Sequence, residues 1–338
     1  MNRKKVLFLV KSEKTPSSRI RVRDLSPFLE KNGIDVEIEN IPKSFLKRRK
    51  LFKKAKNYDL TILQKRLFSF FEFSELRRNA KKLAFDFDDA VYMHNAVPST
   101  DISDYHSSTR GKRFLRTVNG CDFVIAANEY LANYAKSIAP NVICEIIPSS
   151  VNSSQITPKS TYEIDDIPIL GWVGSRVTAR YLYLISDQLC ELRKKHNFKL
   201  HLISDIDIKI KDLEIKNIKW DIKTENCEIR NFDIGIMPLS DDPFSRGKAS
   251  YKLLQYMAAG VPSVASSVGM NIEVAGDNEF AYLADSSSKF VDAIEKLIID
   301  ESLRSEIGKN GRNKIEKLYS REVVAAKLQS AIIKSIEQ

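Results

Sequence analysis

No run of about 18 consecutive apolar residues occurs anywhere in this chain of 338 residues, which argues against a helical membrane span. Cysteine is scarce. Cys121, Cys144, Cys190 and Cys227 stand far apart and fit neither a zinc pattern nor a disulfide framework, as expected in a reducing cytoplasm. Histidine is equally scarce, and His94, His106, His196 and His201 show no metal-ligand spacing. There is no low-complexity tract and no short-period repeat. The basic start MNRKKVLFLVKSEK imitates a secretory signal. Its apolar run, Val6 to Val10, is too short and is followed at once by lysines, so it reads as a first β-strand.

What is present is basic charge, unevenly spread. Through Asn152 there are 28 Lys and Arg against 17 Asp and Glu, a balance of +11; the remainder holds 26 against 27, or −1. Much of the excess lies in KSFLKRRKLFKKAK, Lys43 to Lys56. Such a surface suits an anionic membrane or a phosphorylated substrate, and also serves as a solvated helix face; nucleic acid is the less expected partner.

Apolar runs alternate with helical spacing from end to end. Strands are expected at 6–10, 36–40, 60–63, 82–87, 123–126 and 143–147, then at 169–174, 199–204, 214–220, 232–238 and 262–266. Helices are expected at 19–31 and 129–138, from the end of 169–174 through about Lys195, at 248–259, and as two or three closing helices. A Pro/Ser/Thr-rich stretch divides two such series. The expectation is α/β, two Rossmann-like doubly wound domains facing across a cleft: residues 1–152, a linker 153–167, a second domain 168–318, and a closing helix 319–338 able to pack back on the first. Neither first strand leads into GxGxxG, so the standard dinucleotide fingerprint is absent.

The segment SRGKASYKLLQYMAAGVPSVASSVG, Ser245 to Gly269, reads as a buried helix and strand, yet carries polar residues. On a helix 248–259, Lys248, Lys252 and Gln255 share one face. A helix N-terminus with free amides, Gly247 for close backbone approach, and Arg246 and Lys248 beside it would form an anion site. Lys252 one turn deeper suits a second phosphoryl group, and Gln255 a sugar hydroxyl. The competing reading is a solvent face.

These residues resemble the donor-site motif of GT-B glycosyltransferases of the GT4-like group. FDIGIMPL, GWVGS, IPSSVN and the closing segment from AYLAD are similar to the same family. The resemblance implies a nucleotide-sugar donor bound by the second domain. It also implies a glycan or lipid-linked acceptor on the first, retention of configuration, and no cofactor or metal. Carried over position by position, it implies phosphate-gripping roles for Arg180 and, in the turn after the first strand of the second domain, for Gly174, Ser175 and Arg176. Where the family has a glutamate for the ribose, this chain has Gln255. The earlier family glutamate falls on Gly247, so that role is lost or moved to Asp241 or Asp242.

FDFDDAVY, 85–92, is the sharpest carboxylate cluster. It resembles a metal-binding DxD, the nucleophile loop of haloacid-dehalogenase-type phosphatases with Asp86 and Asp88, or a strand end with Asp88 and Asp89 orienting or deprotonating an acceptor hydroxyl. A capping role is the fourth reading. In SSRIRVRDL, Ser18 and Arg19 are candidates to approach donor phosphates, while Arg21 and Arg23 read equally well as surface charges. The expectation is thus a glycosyltransferase building surface glycans, cytoplasmic or peripheral on the inner face of the cell membrane. The alternatives are a basic membrane- or nucleic-acid-binding protein with a degenerate donor site, and a magnesium-dependent phosphatase.

Overall fold

The computed structural model describes residues 3–94 and 102–337. Among the described residues, twelve strands form two six-stranded sheets, parallel at every pairing. The first holds β1 (Lys4–Val10), β2 (Ile34–Asn40), β3 (Leu60–Gln64), β4 (Leu83–Phe87), β5 (Phe123–Ala126) and β6 (Cys144–Ile146), in the order β2-β1-β3-β4-β5-β6. The second holds β7 (Ile169–Val173), β8 (Lys199–Ser204), β9 (Ile215–Lys219), β10 (Ile234–Met237), β11 (Ser263–Ser266) and β12 (Tyr282–Ala284), in the order β12-β11-β10-β7-β8-β9. Two doubly wound α/β sheets are therefore what the alternating pattern encodes. Every expected strand is present to within two residues at each end, and β12, only three residues long, is additional.

Parallel sheets are buried on both faces, so their strands are apolar at odd and even positions alike. In β1, Leu7 and Leu9 enter one cluster with Phe52, Phe85 and Phe114. Val6, Phe8 and Val10 enter another with Ile62, Ile125, Leu328 and Ile332. The last two come from the closing helix Arg321–Glu337, which covers one face of the first sheet. Two expected helices are broken. Residues 19–31 form a π-type turn, Arg19–Arg23, and then a helix Ser26–Lys31 with Pro27 in its first turn, where proline needs no backbone donor. The helical stretch after β7 comes as Arg176–Ala179, a 3₁₀ piece Arg180–Leu184, and Ser186–Lys195.

The chain divides into two units. The first comprises Met1–Ser150, Asp242–Ala249 and Arg321–Gln338; the second comprises Val151–Asp241 and Ser250–Ser320. The Pro/Ser/Thr-rich stretch belongs to the second and is strapped to it. The Arg312 guanidinium donates to the carbonyls of Ser153, Ile156 and Ala258, that of Arg304 to the Tyr162 carbonyl, and the Lys159 ammonium to the Phe232 carbonyl.

In the second sheet, glycine lets side chains lie flat on the strands. A Cβ at Gly171 would meet the Phe232 ring at about 2 Å, and one at Gly235 would meet Tyr256 at 2.7 Å. Tyr256 uses that space to bridge strands, donating to the Ile236 carbonyl and accepting from Val173 N–H. Gly171→Ala is therefore expected to overpack the core and cost roughly 1–3 kcal/mol, read as a lowered midpoint in urea unfolding.

Candidate active site

In an open parallel sheet, ligands bind beyond the carboxyl ends of the strands where strand order reverses. In the second unit that place is β7 and β10. The turn leaving β7 carries Gly174, Ser175 and Arg176. Gly174 has no room for a side chain, because a Cβ would lie 2.4 Å from the Trp172 ring. Ser175 caps the short helix after it through Thr178, and the Arg176 N–H donates to Asp205 at 2.8 Å, which leaves the Arg176 side chain exposed. Arg180 follows, its guanidinium 5.1 Å from the centre of the Tyr181 ring and donating to the Tyr181 hydroxyl at 3.3 Å. From the other side of the reversal, the helix Tyr251–Ala258 brings Lys252, whose ammonium lies 5.7 Å from the Trp172 ring centre. Trp172, which the sequence reading did not single out, is thus the plate against which the β7 turn and Lys252 are both set. Gln255, one turn further on, is only 4% exposed, and its carboxamide finds no hydrogen-bond partner among the described residues. An amide without a protein partner can hydrogen-bond water or a ligand.

The expected helix 248–259 is shorter. It begins at Tyr251, because Ser250 takes a left-handed conformation (φ 49°) and bonds Asn271 through its hydroxyl. Lys248 consequently lies off the helix and does not share a face with Lys252 and Gln255. It sits over the Phe244 ring at 4.7 Å, in the segment Asp242–Ala249 that belongs to the first unit. The free amides expected beside Gly247 are occupied: Gly247 N–H bonds the Phe244 carbonyl, and Lys248 N–H the Ser245 carbonyl. Arg246 ends the turn Pro243–Arg246 rather than opening a helix. Gly247 is needed for packing, since a Cβ would come within 3.1 Å of both Ala90 and Leu131. Asn128 fixes the segment, donating to the carbonyls of Gly247 and Lys248 while capping its own helix at Leu131. Asp242 is buried and caps the turn, accepting from the Ser245 N–H and hydroxyl.

In the first unit the reversal lies between β1 and β3, and a charged cluster fills it. Arg21 is buried, against its reading as a surface charge, and grips Asp86 from Nε (3.1 Å) and Nη2 (2.6 Å). Gln64, beside Asp86 in the strand register, donates to it at 3.2 Å and accepts from the Ser18 hydroxyl at 2.6 Å. Asp88 and Asp89 are both paired. The Lys65 ammonium lies 2.7 Å from Asp88 and 2.5 Å from Asp89. Burial pushes the Asp88 carboxyl up, but Lys65 and Arg21 outweigh it and hold it below the ordinary aspartate range. Neither Asp86 nor Asp88 is then disposed as a free phosphatase nucleophile and acid. Arg19 is half-buried on the same turn and forms no ion pair among the described residues. His94 and His106 are exposed, and Trp220 bonds Glu225 through its ring nitrogen.

The basic stretch separates into two kinds of residue. Arg48 and Arg49 of the helix Phe45–Lys54 pair with Glu72 and Glu75 of the helix Phe70–Asn79, and Lys54 pairs with Glu37 and Glu39. Lys43, Lys47, Lys50, Lys53 and Lys56 are exposed.

Comparison with known proteins adds the following. Residues 230–314 match the family of glycosyl transferases group 1. Over 196 residues, 53% of this chain, the sequence is 24% identical to the capsular polysaccharide biosynthesis glycosyltransferase CapM of Staphylococcus aureus, and it spans about half (50%) of that relative's length. Among solved structures, sucrose-phosphate synthase from Thermosynechococcus elongatus superposes with a TM-score of 0.78 at 16% identity, covering 98% of this chain and 99% of that one. The HepE protein of Anabaena, solved with UDP, gives 0.72 at 14% identity, covering 98% and 100%. At such identities the structures establish a shared fold.

The buried Arg21–Asp86 pair makes a testable demand. Arg21→Leu strands a buried carboxylate and is expected to cost about 3–5 kcal/mol, whereas Arg21→Leu with Asp86→Leu recovers most of the loss in denaturant unfolding.

Proposed function

We propose a specific reaction for this chain, which belongs to the glycosyl transferases group 1 and has the GT-B fold: transfer of a sugar from a nucleoside-diphosphate sugar to a hydroxyl acceptor in surface-glycan synthesis. The observation that carries it is the convergence on Trp172. Gly174 and Lys252 both lie against its ring, with Gln255 one helical turn on from Lys252 and Arg180 on the short helical run after the β7 turn. Departure of a nucleoside diphosphate builds negative charge, and cations already held in place stabilise it without reorganising. Arg180 and Lys252 are the groups assigned to that diphosphate, and Gln255 to a ribose hydroxyl. The HepE protein's complex with UDP makes uridine the first base to test. CapM's role in capsular polysaccharide supports a glycan acceptor. The reaction is proposed to be retaining and metal-independent, with the acceptor held by the first unit and its hydroxyl oriented by Asp88 and Asp89. Lys252→Ala is expected to weaken UDP binding by about 1.5–3 kcal/mol in calorimetry run in EDTA, the scale of a lost charge-assisted hydrogen bond. Unchanged affinity would return Lys252 to a packing role on Trp172.

The same reading includes contact with an anionic membrane through the first unit. Two packed helices begin with exposed apolar residues, Phe45 (48%) and Leu46 (73%) on one, Phe70 (57%) and Phe71 (78%) on the other. Both follow strands of one parallel sheet, so both N-termini face the carboxyl end of that sheet. Exposed Lys43, Lys47 and Lys50 border the first of them. Apolar side chains flanked by lysines suit an anionic interface, where each basic residue contributes about 1 kcal/mol. The protein is expected to sediment with anionic but not zwitterionic vesicles and to be released by moderate salt. Changing Lys43, Lys47, Lys50 and Lys53 to glutamine should abolish sedimentation without loosening the helix pair, which Arg48 and Arg49 hold.

A further inference from the structure

We infer that Lys65 is a positioning residue that locks Asp88 and Asp89 as a fixed anionic pair, and that this pair selects a neutral, hydroxyl-bearing group and rejects an anionic one. The inference rests on the proposed reading for the acceptor's place on the first unit, and goes beyond it in naming the acceptor's chemistry and the residue that sets it.

The geometry carries it. Lys65 follows β3 directly and is left-handed (φ 54°), a conformation costly for any residue with a Cβ. Its N–H is tied to the Asp86 carbonyl at 2.8 Å, which fixes the turn to the neighbouring strand. From there the ammonium reaches three oxygens on two other segments: Ser17 Oγ at 3.1 Å, Asp88 Oδ1 at 2.7 Å and Asp89 Oδ2 at 2.5 Å. Its protons are directed to Ser17 and Asp89, while the Asp88 oxygen is held by charge at contact distance and accepts no hydrogen bond.

The charges acting on Asp88 come from two neighbouring segments. Lys65 comes from the end of β3, and Arg21 from the turn after β1, itself engaged by Asp86 of β4. Ser17 adds a neutral hydroxyl. Two cations against three carboxylates leave one negative charge in the cluster. Burial lowers the Lys65 ammonium's pKa, and Asp88 and Asp89 more than reverse this, so it stays charged. Asp88, held below its ordinary range by Lys65 and Arg21, is a weak base near neutral pH. An ionised carboxylate accepts hydrogen bonds, and Asp89, with its side chain 36% exposed, is the member open to a ligand. An incoming phosphate or carboxylate would meet like charge at this pair, whose contacting cation Lys65 is already engaged.

The test needs no glycosyl transfer, so it can fail or succeed independently of the proposed reaction. The full chain is labelled with [13Cγ]aspartate, and Asp88 and Asp89 are assigned with Asp88→Asn and Asp89→Asn. In the wild type, the Asp88 resonance is expected to titrate below the ordinary aspartate range. In Lys65→Met at least one of the two midpoints should rise by about one pH unit or more, the scale of a lost opposite charge at contact. Lys65→Arg, which keeps the charge, should restore it, and a melting curve for each variant shows that it is folded. Methyl α-glucoside should perturb the Asp89 resonance of the wild type, and glucose 6-phosphate at equal concentration should not. Midpoints unmoved in folded Lys65→Met, an equal response to the phosphorylated sugar, or no response to the glucoside overturns the inference.

Discussion

A parallel strand can be followed only by a crossover that covers one face of the sheet, and the direction in which strands are added decides which face. In each sheet that direction reverses once, between β1 and β3 and between β7 and β10. On either side of a reversal the crossovers leave by opposite faces, so the strand ends between them are left uncovered. That constraint puts the chain's uncommon chemistry where it is. Arg21, Gln64, Lys65, Asp86, Asp88 and Asp89 stand at one reversal, and Gly174, Arg180, Lys252 and Gln255 stand at or beside the other. Apolar pairing on both sheet faces supplies the stability that lets charged groups be held at the strand ends.

The two reversals are built differently. The first is internally neutralised almost to completion, Arg21 and Lys65 each being matched to a carboxylate. Removing one member leaves a buried charge uncompensated, so the cluster is rigid in the sense that its parts cannot be changed singly. The second is built on an aromatic plate, with Lys252 set against the Trp172 ring and a buried carboxamide left without a partner. A closed electrostatic cluster suits orientation of a small group by fixed acceptors. A cationic, under-satisfied surface suits capture of a diphosphate.

The strands were legible because both-face burial writes continuous Val, Ile, Leu and Phe runs, and a run has an unambiguous start and stop. β12 escaped because Tyr282–Ala284 is too short to differ from a loop. The helix onset at Tyr251 escaped because the spacing of Lys248, Lys252 and Gln255 satisfies helical periodicity, while the left-handed Ser250 that breaks it leaves no mark in composition. Lys252 and Gln255 were singled out by polar type at helical spacing, and Gly174 and Arg180 by motif resemblance. Arg21 and Lys65 were not, since each sits among other basic residues and single-residue burial is invisible in a charged run. One signal was available for Lys65. Gln-Lys ends a strand wholly of buried residues, next to the reversal, which is where a cation is seldom idle.

The path of the backbone carries a consequence for biosynthesis. It leaves the first unit after Ser150, returns for Asp242–Ala249, leaves again, and returns at Arg321. Phe244 and the closing helix residues Val324, Ala325, Leu328 and Ile332 are core members of that unit. The closing helix is synthesised after every segment of the second unit, and Phe244 after most of it. The unit that emerges first therefore holds an unfilled apolar face through most of translation, whereas the second unit has all its own segments once Ser320 has cleared the exit tunnel. The first sheet stays open on one face until the helix Arg321–Glu337 is made, and loss of that helix would reopen it.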